Sequence, residues 1–369
     1  MSDGTKERGL RFGYGTNGLA DLRLDDALGL LADLGYHGVG LTLDHMHLDP
    51  LAPAPELAAR TRHLARRLDR LGLDIAIETG ARYVLDPRRK HHPTLLDPDL
   101  STRALRAGLL LTAVRIAAEL GASAVHCFSG RTPPGMGEEE AWRRLAEAVV
   151  PVLDAAHATG VPLAVEPEPG HLLSDLAGFH RLRTALGDPE GLGLTLDIGH
   201  CQCLEPEPPA DCVRAAAPWL RHVQIEDMRR GVHEHLPFGD GEIDFPPVLS
   251  ALRAAGYDGL VSVELPRDSH AGPQLAAFSL SFLRAAERAA RQGSRPGGAA
   301  APVKADVAKA PVAKGSEPGG PAPRRPSGSS AGPRTDWHSP ADGLSSAASA
   351  PGEATAGHQR PSTPGGTPW

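Results

Sequence analysis

Short apolar runs alternate with longer segments of helical periodicity along most of this chain. Each run has four or five mostly apolar residues, which is typical of a strand buried on both faces. The eight runs begin near Arg11, Gly38, Leu73, Ser123, Pro162, Leu192, Leu220 and Leu260. Between them, apolar residues recur at the spacing of one helical face, as at Leu24, Leu28 and Leu31. This alternation predicts a fold of the α/β class, a single closed (β/α)8 TIM barrel with a parallel sheet.

The regular alternation stops near Arg291. From residue 293 onwards the chain is rich in Ala, Pro, Gly and Ser and has almost no large aliphatic residues. Such a segment cannot bury enough apolar surface to offset the entropy lost on ordering. We therefore predict a barrel over residues 10–292 and a disordered tail over residues 293–369.

Charge and composition narrow the choice of partners and compartment. The chain has a net charge of −7, and the tail carries eight Lys or Arg against five Asp or Glu, which leaves −10 on residues 1–292. An acidic body matches the phosphates of nucleic acid poorly, so we expect no nucleic-acid partner. The N-terminal residues lack the apolar core of a signal peptide, and no stretch approaches the roughly 20 apolar residues of a membrane span. We expect a cytoplasmic protein with no membrane partner, and we leave oligomerisation open.

Four of the predicted strands end in an oxygen donor. The donors are Glu166, Asp197, Gln224 and Glu264. Because parallel strands of a closed barrel all point the same way, these side chains should meet at the mouth of the barrel, the face where the strands end. Carboxylates packed together repel one another unless a cation neutralises them. Zinc prefers nitrogen and sulfur ligands, so this oxygen-rich set predicts one divalent cation, Mn²⁺ or Mg²⁺.

Glu166 and Glu264 are the predicted catalytic pair. They end the fifth and eighth strands, on opposite sides of the mouth. One carboxylate could remove a proton from carbon while the other supplies one, beside an ion that polarises a carbonyl and its neighbouring hydroxyl. This arrangement predicts an isomerase or epimerase that works through an enediolate. The alternative interpretation makes each glutamate a solvated acid in the loop after a strand.

Further polar side chains fall near the same strand ends. His200 follows Asp197 by three residues, and His222 lies on the same side of its strand as Gln224 if that strand is regular. A glycine-bounded segment predicted to be a loop carries two more histidines. We predict substrate or second-metal contacts for His126, His200, His222, His233, His235 and Arg267. Each imidazole could instead be a packed or surface residue.

A basic cluster follows the third predicted strand. It comprises Arg82, the run Arg88-Arg89-Lys90 and the pair His91-His92. Charged runs in loops are usually solvated. If this loop folds over the mouth, the cluster would suit an anionic substrate such as a phosphate or a carboxylate, and Arg267 could do the same.

Five segments resemble the xylose isomerase-like TIM-barrel superfamily, which holds sugar phosphate isomerases and epimerases. They are Leu163-Ala-Val-Glu166-Pro, Leu196-Asp197-Ile-Gly-His200, His222-Val-Gln224-Ile-Glu-Asp227, Gly239-Asp-Gly-Glu-Ile-Asp-Phe245 and Val263-Glu264. The resemblance covers about residues 10–290. It implies a metal held by the four strand-end donors, with the two glutamates doubling as acid and base on a small carbohydrate-like substrate. Most epimerase members have His where this chain has Gln224. The amide resembles the hydroxypyruvate isomerase branch.

Two other functions stay open. The chain distantly resembles endonuclease IV, which implies a multi-zinc phosphodiesterase or hydrolase. The corresponding positions are His126, Glu166, Asp197, His200, His233, His235 and Glu264, and that enzyme has Asp and His at the pair His233 and His235. Gln224 stands where that enzyme has an imidazole, and the acidic body opposes DNA binding. The third possibility is a non-catalytic sugar-binding barrel, which the intact pair of glutamates disfavours.

Overall fold

The computed structural model describes residues 9–80 and 82–293. These residues form ten strands: β1 (Arg11–Gly15), β2 (Gly38–Thr42), β3 (Asp74–Glu78), β4 (Val125–Phe128), β5 (Leu163–Glu166), β6 (Leu192–Asp197), β7 (Leu220–Ile225), β8 (Asp227–Arg229), β9 (Val232–Leu236) and β10 (Leu260–Val263). Strands β1 to β7 follow one another around a closed barrel, and β10 pairs with both β7 and β1. All eight pairings in the barrel are parallel. The predicted eight-stranded TIM barrel is confirmed.

Helices surround the barrel and connect its strands. They are α1 (Leu24–Leu34), α2 (Ala54–Leu71), α3 (Leu100–Leu120), α4 (Glu138–Thr159), α5 (Leu176–Ala185), α6 (Ile198–Leu204), α7 (Pro209–Ala216), α8 (Phe245–Ala254) and α9 (Gly272–Gly293). Helices α1 and α2 end at Gly35 and Gly72, whose φ angles are 90° and 65°. Glycine adopts this left-handed conformation without a Cβ clash, so the chain can turn sharply from helix to strand.

The barrel interior contains a polar contact between opposite strands. His222 of β7 lies with its Nε2 3.2 Å from Oε1 of Glu78 at the end of β3, and both side chains are buried. Thr42 of β2 donates to the other carboxylate oxygen of Glu78 over 3.5 Å. Gly40 leaves room for this carboxylate, because a Cβ there would collide with Glu78 Oε1. The barrel is therefore bridged through its centre directly below its mouth.

The remaining two strands form a hairpin beside the mouth. Strands β8 and β9 pair antiparallel, and the segment that follows them folds back onto Asp227. The Asp227 carboxylate accepts hydrogen bonds from the backbone N–H groups of Met228, Gly239 and Ile243. This one buried side chain thus ties together a loop that spans more than a dozen residues.

Three further features concern the tail, the helices and the cysteines. The predicted tail lies outside the described residues, apart from Gly293 at the end of α9. Within the described part of the chain, no helix has the length and apolar character needed to span a bilayer. The four cysteines, Cys127, Cys201, Cys203 and Cys212, are free thiols, and all are buried.

Candidate functional site

A cavity of about 110 Å³ opens where the barrel strands end. Its wall combines acidic and amide side chains with imidazole and cationic ones. The acids and amides are Asn17, Glu78, Glu166, Glu168, Gln224 and Glu264. A concave site with convergent polar groups at this face is where TIM-barrel enzymes place their chemistry.

The structure brings the four strand-end donors together. Asp197 and Gln224 are direct neighbours in the β6–β7 register, and each is only 1% exposed. Ligand atoms of Glu166 and Asp197 lie within 4.8 Å of each other, and Asp197 in turn lies within 4.8 Å of a Glu264 oxygen. Asp197 is therefore the centre of the group.

Two of these donors have buried oxygen atoms without a hydrogen-bond partner among the described residues. The atoms are Asp197 Oδ2 and Gln224 Oε1. Buried polar atoms are nearly always paired, and an oxygen left over as an acceptor is complemented by a donor or a cation. A cluster of carboxylates and an amide oxygen fits a hard divalent ion.

Glu166 is held in place by His126 of β4. The backbone N–H of Thr79 donates to Nδ1 of His126 over 3.2 Å, so the ring proton must sit on Nε2. Nε2 then donates to Glu166 Oε2 over 2.5 Å. Burial lowers the pKa of His126 to about 4, which keeps the ring neutral at neutral pH. In this arrangement, His126 orients the Glu166 carboxylate.

Glu264 follows β10 directly and is held by Asn17. Asn17 lies in the short 3-10 turn after β1, and its side-chain amide donates to Glu264 Oε1 over 2.9 Å. Burial and the Glu78 carboxylate raise the pKa of Glu264 well above its ordinary value. Burial and the Asp197 carboxylate do the same to the pKa of Glu166.

Asp197 has a different electrostatic environment. Burial opposes its charge, but His200 and His235 outweigh that effect and lower the pKa of Asp197 below its ordinary value. Its other oxygen, Oδ1, caps helix α6 by accepting from the backbone N–H of His200 over 2.8 Å. A helix N-terminus stabilises negative charge, which also favours the ionised form of Asp197.

Three imidazoles meet beside the carboxylates. Nε2 of His200 and Nε2 of His233 lie 3.1 Å apart, and His235 packs against both rings. His200 Nδ1 lies 3.0 Å from the Pro167 carbonyl, which fixes the proton on Nδ1 and leaves Nε2 with a lone pair. Burial lowers the pKa of His233 to about 4 and that of His235 to about 3. The segment that carries His233 and His235 was expected to be a loop, and it is strand β9 because it pairs with β8.

Two predicted contact residues lie in different places. His222 does not reach the cavity wall, because its ring lies one layer deeper against Glu78. Arg267 does line the cavity, from the loop after β10.

Glu226 belongs to the cluster, although it is not among the predicted site residues. It is fully buried, neither of its carboxylate oxygens has a hydrogen-bond partner among the described residues, and it lies within 4.8 Å of Asp197, His235 and Glu264 ligand atoms. Burial and the Asp197 charge raise its pKa well above the ordinary value. A Cβ on Gly199 would collide with it, so glycine is required there. Its position was detectable, because it continues the alternation of His222 and Gln224.

Glu168 is the second residue that was missed. Its carboxylate oxygens lie 3.9 Å from His200 Nε2 and 3.8 Å from His233 Nε2. Burial raises the pKa of Glu168 to about 8. The signal was the sequence Glu166-Pro-Glu168, which carries a second acid past the strand end.

A family model described as xylose isomerase-like TIM barrel matches residues 28–286. The chain belongs to this family. The inosose dehydratase of Lacticaseibacillus casei is 29% identical over 147 residues, which are 35% of this chain and 49% of that protein. The hydroxypyruvate isomerase of Escherichia coli K12 is 30% identical over 159 residues, which are 41% of this chain and 58% of the isomerase. The chain thus spans about half the length of these curated relatives.

A solved structure of an L-ribulose 3-epimerase shares the fold. It superposes with a TM-score of 0.62 at 22% identity, and the match covers 79% of this chain and all of the epimerase chain. The predicted superfamily is therefore confirmed by both sequence and fold, and its relatives include isomerases and epimerases.

Proposed function

We propose that this member of the family is a divalent-metal-dependent isomerase or epimerase. Its substrate would be a small sugar, sugar phosphate or hydroxy-keto acid. The observation that supports this most strongly is the pair Glu166 and Glu264, each facing the cavity from a different strand end and each oriented by a neutral hydrogen-bond donor. Two fixed carboxylates facing one cavity can take a proton from carbon and return one.

Each glutamate has one carboxylate oxygen that its orienting donor does not engage. His126 engages Oε2 of Glu166, and Asn17 engages Oε1 of Glu264. Both donors fix the direction of the carboxylate, which reduces the loss of freedom on reaching the transition state. The other oxygen of Glu166, Oε1, lies 3.3 Å from His200 Nδ1. Protons would pass through this oxygen and through Glu264 Oε2 in opposite directions.

We assign Glu166, Asp197, Gln224 and Glu264 as the residues that would hold the metal. The unpaired oxygens of Asp197 and Gln224 support this assignment. A divalent cation, when bound, supplies Lewis-acid polarisation of a carbonyl and its neighbouring hydroxyl. Oxygen donors favour Mn²⁺ or Mg²⁺. The raised pKa values of the two glutamates indicate that a nearby cation would stabilise their ionised forms.

The reactions that the relatives are named for could share one chemical step. Dehydration and isomerisation of a hydroxy-carbonyl compound can both begin with removal of the proton on the carbon beside the carbonyl. The relatives named above include a dehydratase and an isomerase. The proposed role of the two glutamates applies to that step.

The histidine cluster supports a second candidate, a multi-zinc hydrolase. His200 points an unprotonated Nε2 at His233, and its Nδ1 is oriented by a backbone carbonyl, as is usual for metal-ligating imidazoles. The cluster could hold a second ion or a substrate hydroxyl. Gln224 in place of an imidazole favours the single-metal isomerase.

Hydrogen exchange at carbon tests the proposed function. The full chain, loaded with Mn²⁺, is incubated in D₂O with a panel of ketoses, their phosphates and hydroxy-keto acids, and deuterium on carbon is followed by NMR. We expect incorporation beside the carbonyl of at least one compound and its loss after chelation. No incorporation into any compound by the loaded protein would contradict the proposal.

A further inference from the structure

Three cationic side chains lie on the rim of the cavity. Arg82 and Lys90 come from the loop between β3 and α3, and Arg267 comes from the loop after β10. All three line the same cavity as the carboxylates. No acidic side chain of residues 9–80 or 82–293 forms an ion pair with any of them. Their charges are therefore not compensated by a direct contact within the described chain.

The basic run of the β3–α3 loop is divided between two environments. Asp86 pairs with Arg89 over 2.7 Å and accepts the backbone N–H of Arg88 over 2.8 Å. These contacts lie in solvent, outside the cavity. Lys90 is the member of the run that turns to the cavity, where His91 anchors the loop through a hydrogen bond between its Nδ1 and the Gly80 carbonyl.

The rim cations affect one another. Burial lowers the pKa of Lys90, Arg82 and Arg267 lower it further, and Glu168 and Glu264 partly offset this. Three positive charges at one rim repel unless an anion lies between them. The carboxylates deeper in the cavity would be neutralised by a divalent cation, which leaves the rim charges for a ligand.

We infer that Arg82, Lys90 and Arg267 form an anion-binding subsite that selects substrates carrying a carboxylate or phosphate group. Arginine pairs with both groups in a bidentate manner, and lysine adds a point charge. The inference rests on the proposed function for the reaction itself. Its binding part can be tested separately.

Affinity for three matched ligands tests the subsite. Glycerol, glycerate and glycerol 3-phosphate share a three-carbon skeleton and differ in the anionic group. None contains a ketone or an aldehyde, so none can undergo the proposed proton transfer. Dissociation constants are measured by calorimetry on the full chain at a fixed Mn²⁺ concentration. We expect at least one anion to bind about tenfold or more tightly than glycerol, which corresponds to about 1.4 kcal/mol.

Variants assign that preference to the rim. Lys90→Met and Arg267→Met should each reduce the preference about tenfold. Arg88→Met, in the same loop but outside the cavity, should keep it. Preference for glycerate alone identifies a carboxylate subsite, and preference for glycerol 3-phosphate alone identifies a phosphate subsite.

Two results would overturn the inference. One is equal or undetectable binding of all three ligands. The other is a preference that Lys90→Met and Arg267→Met both leave unchanged, because the anion would then bind elsewhere, for example on the metal. Neither result depends on deuterium exchange, so the subsite and the proposed function can fail separately.

Discussion

Carboxylates on the outer face of this barrel and carboxylates at its mouth have opposite surroundings. On helix α4, Glu140 is exposed and pairs with Arg143 and with Arg144, the latter over 2.9 Å. Hydrogen bonds from these arginines lower the pKa of Glu140. At the mouth, Glu166 is buried and Glu264 is half-buried among other acids, and the pKa values of both are raised.

The comparison shows where the chain leaves charge uncompensated. The charges of exposed ion pairs compensate each other within the protein, and such pairs contribute little to stability. Buried carboxylates without a cationic partner are costly, and such sites are characteristic of function. The mouth is therefore the place where we propose that a cation and a substrate bind.

The largest expected effect is on turnover at the mouth. Glu264→Gln should lower the rate of deuterium exchange by about 10²- to 10⁴-fold, because the amide cannot accept or return a proton. In the presence of chelator the melting temperature should not fall, since Gln has the same shape and removes a carboxylate whose pKa is raised. Glu140→Gln on α4 is the control and should keep full activity. An active Glu264→Gln variant would rule out the mechanism with two carboxylates.

Replacing the buried Glu226 should stabilise the metal-free protein. Its pKa is raised by burial, so at neutral pH the ionised form opposes folding in the metal-free protein. Glu226→Gln should therefore raise the melting temperature in the presence of chelator, because the amide is uncharged and need not take up a proton on folding. Glu147→Gln, at an exposed position on α4, should not stabilise the protein. A lower melting temperature for Glu226→Gln would contradict this account of the mouth.

A smaller effect should appear in the pH dependence of stability. Burial lowers the pKa of His171 to about 3, whereas an unfolded histidine titrates near 6.5. Between these values only the unfolded state binds the proton, so His171 contributes stability above pH 6.5 that is lost as the pH falls towards 3. The fall in melting temperature from pH 7.5 to pH 5 should be smaller in His171→Gln than in wild type. The exposed His157→Gln is the control, and identical profiles for all three proteins would contradict the prediction.

The smallest effect is expected on the outer face. Arg143→Met removes pairs with Glu140 and Glu147, and all three side chains are exposed. The melting temperature should stay within about 2 °C of wild type. A larger fall, measured by differential scanning calorimetry, would show that the outer ion pairs stabilise the fold and would weaken the contrast with the mouth.

Periodicity was enough to predict the barrel and its strand-end donors. Strands buried on both faces have a strong apolar signal, and the parallel direction of the strands requires Glu166, Asp197, Gln224 and Glu264 to end at one face. These features depend on local pattern and on one general rule of topology.

The features that the sequence pattern did not predict depend on contacts between segments that are distant in the chain. The β8–β9 hairpin is organised by Asp227, which binds backbone groups far along the chain. The side chains of His222 and Gln224 point to the same face of β7. His222 nevertheless lies deeper in the barrel, where it contacts Glu78 from the opposite strand. The turn at Asp86 decides which cation of the β3–α3 loop faces the cavity. A loop has no periodic pattern that would predict the direction of its side chains.

Metal content tests the central claim most directly. Protein purified without chelator, as wild type and as Gln224→His, is analysed by elemental mass spectrometry. The proposed site predicts about one Mn or Mg per wild-type chain and a shift towards Zn in Gln224→His, because imidazole favours zinc. Two or three zinc ions per wild-type chain would support the multi-zinc hydrolase, and a wild-type protein without metal would contradict a metal-dependent isomerase.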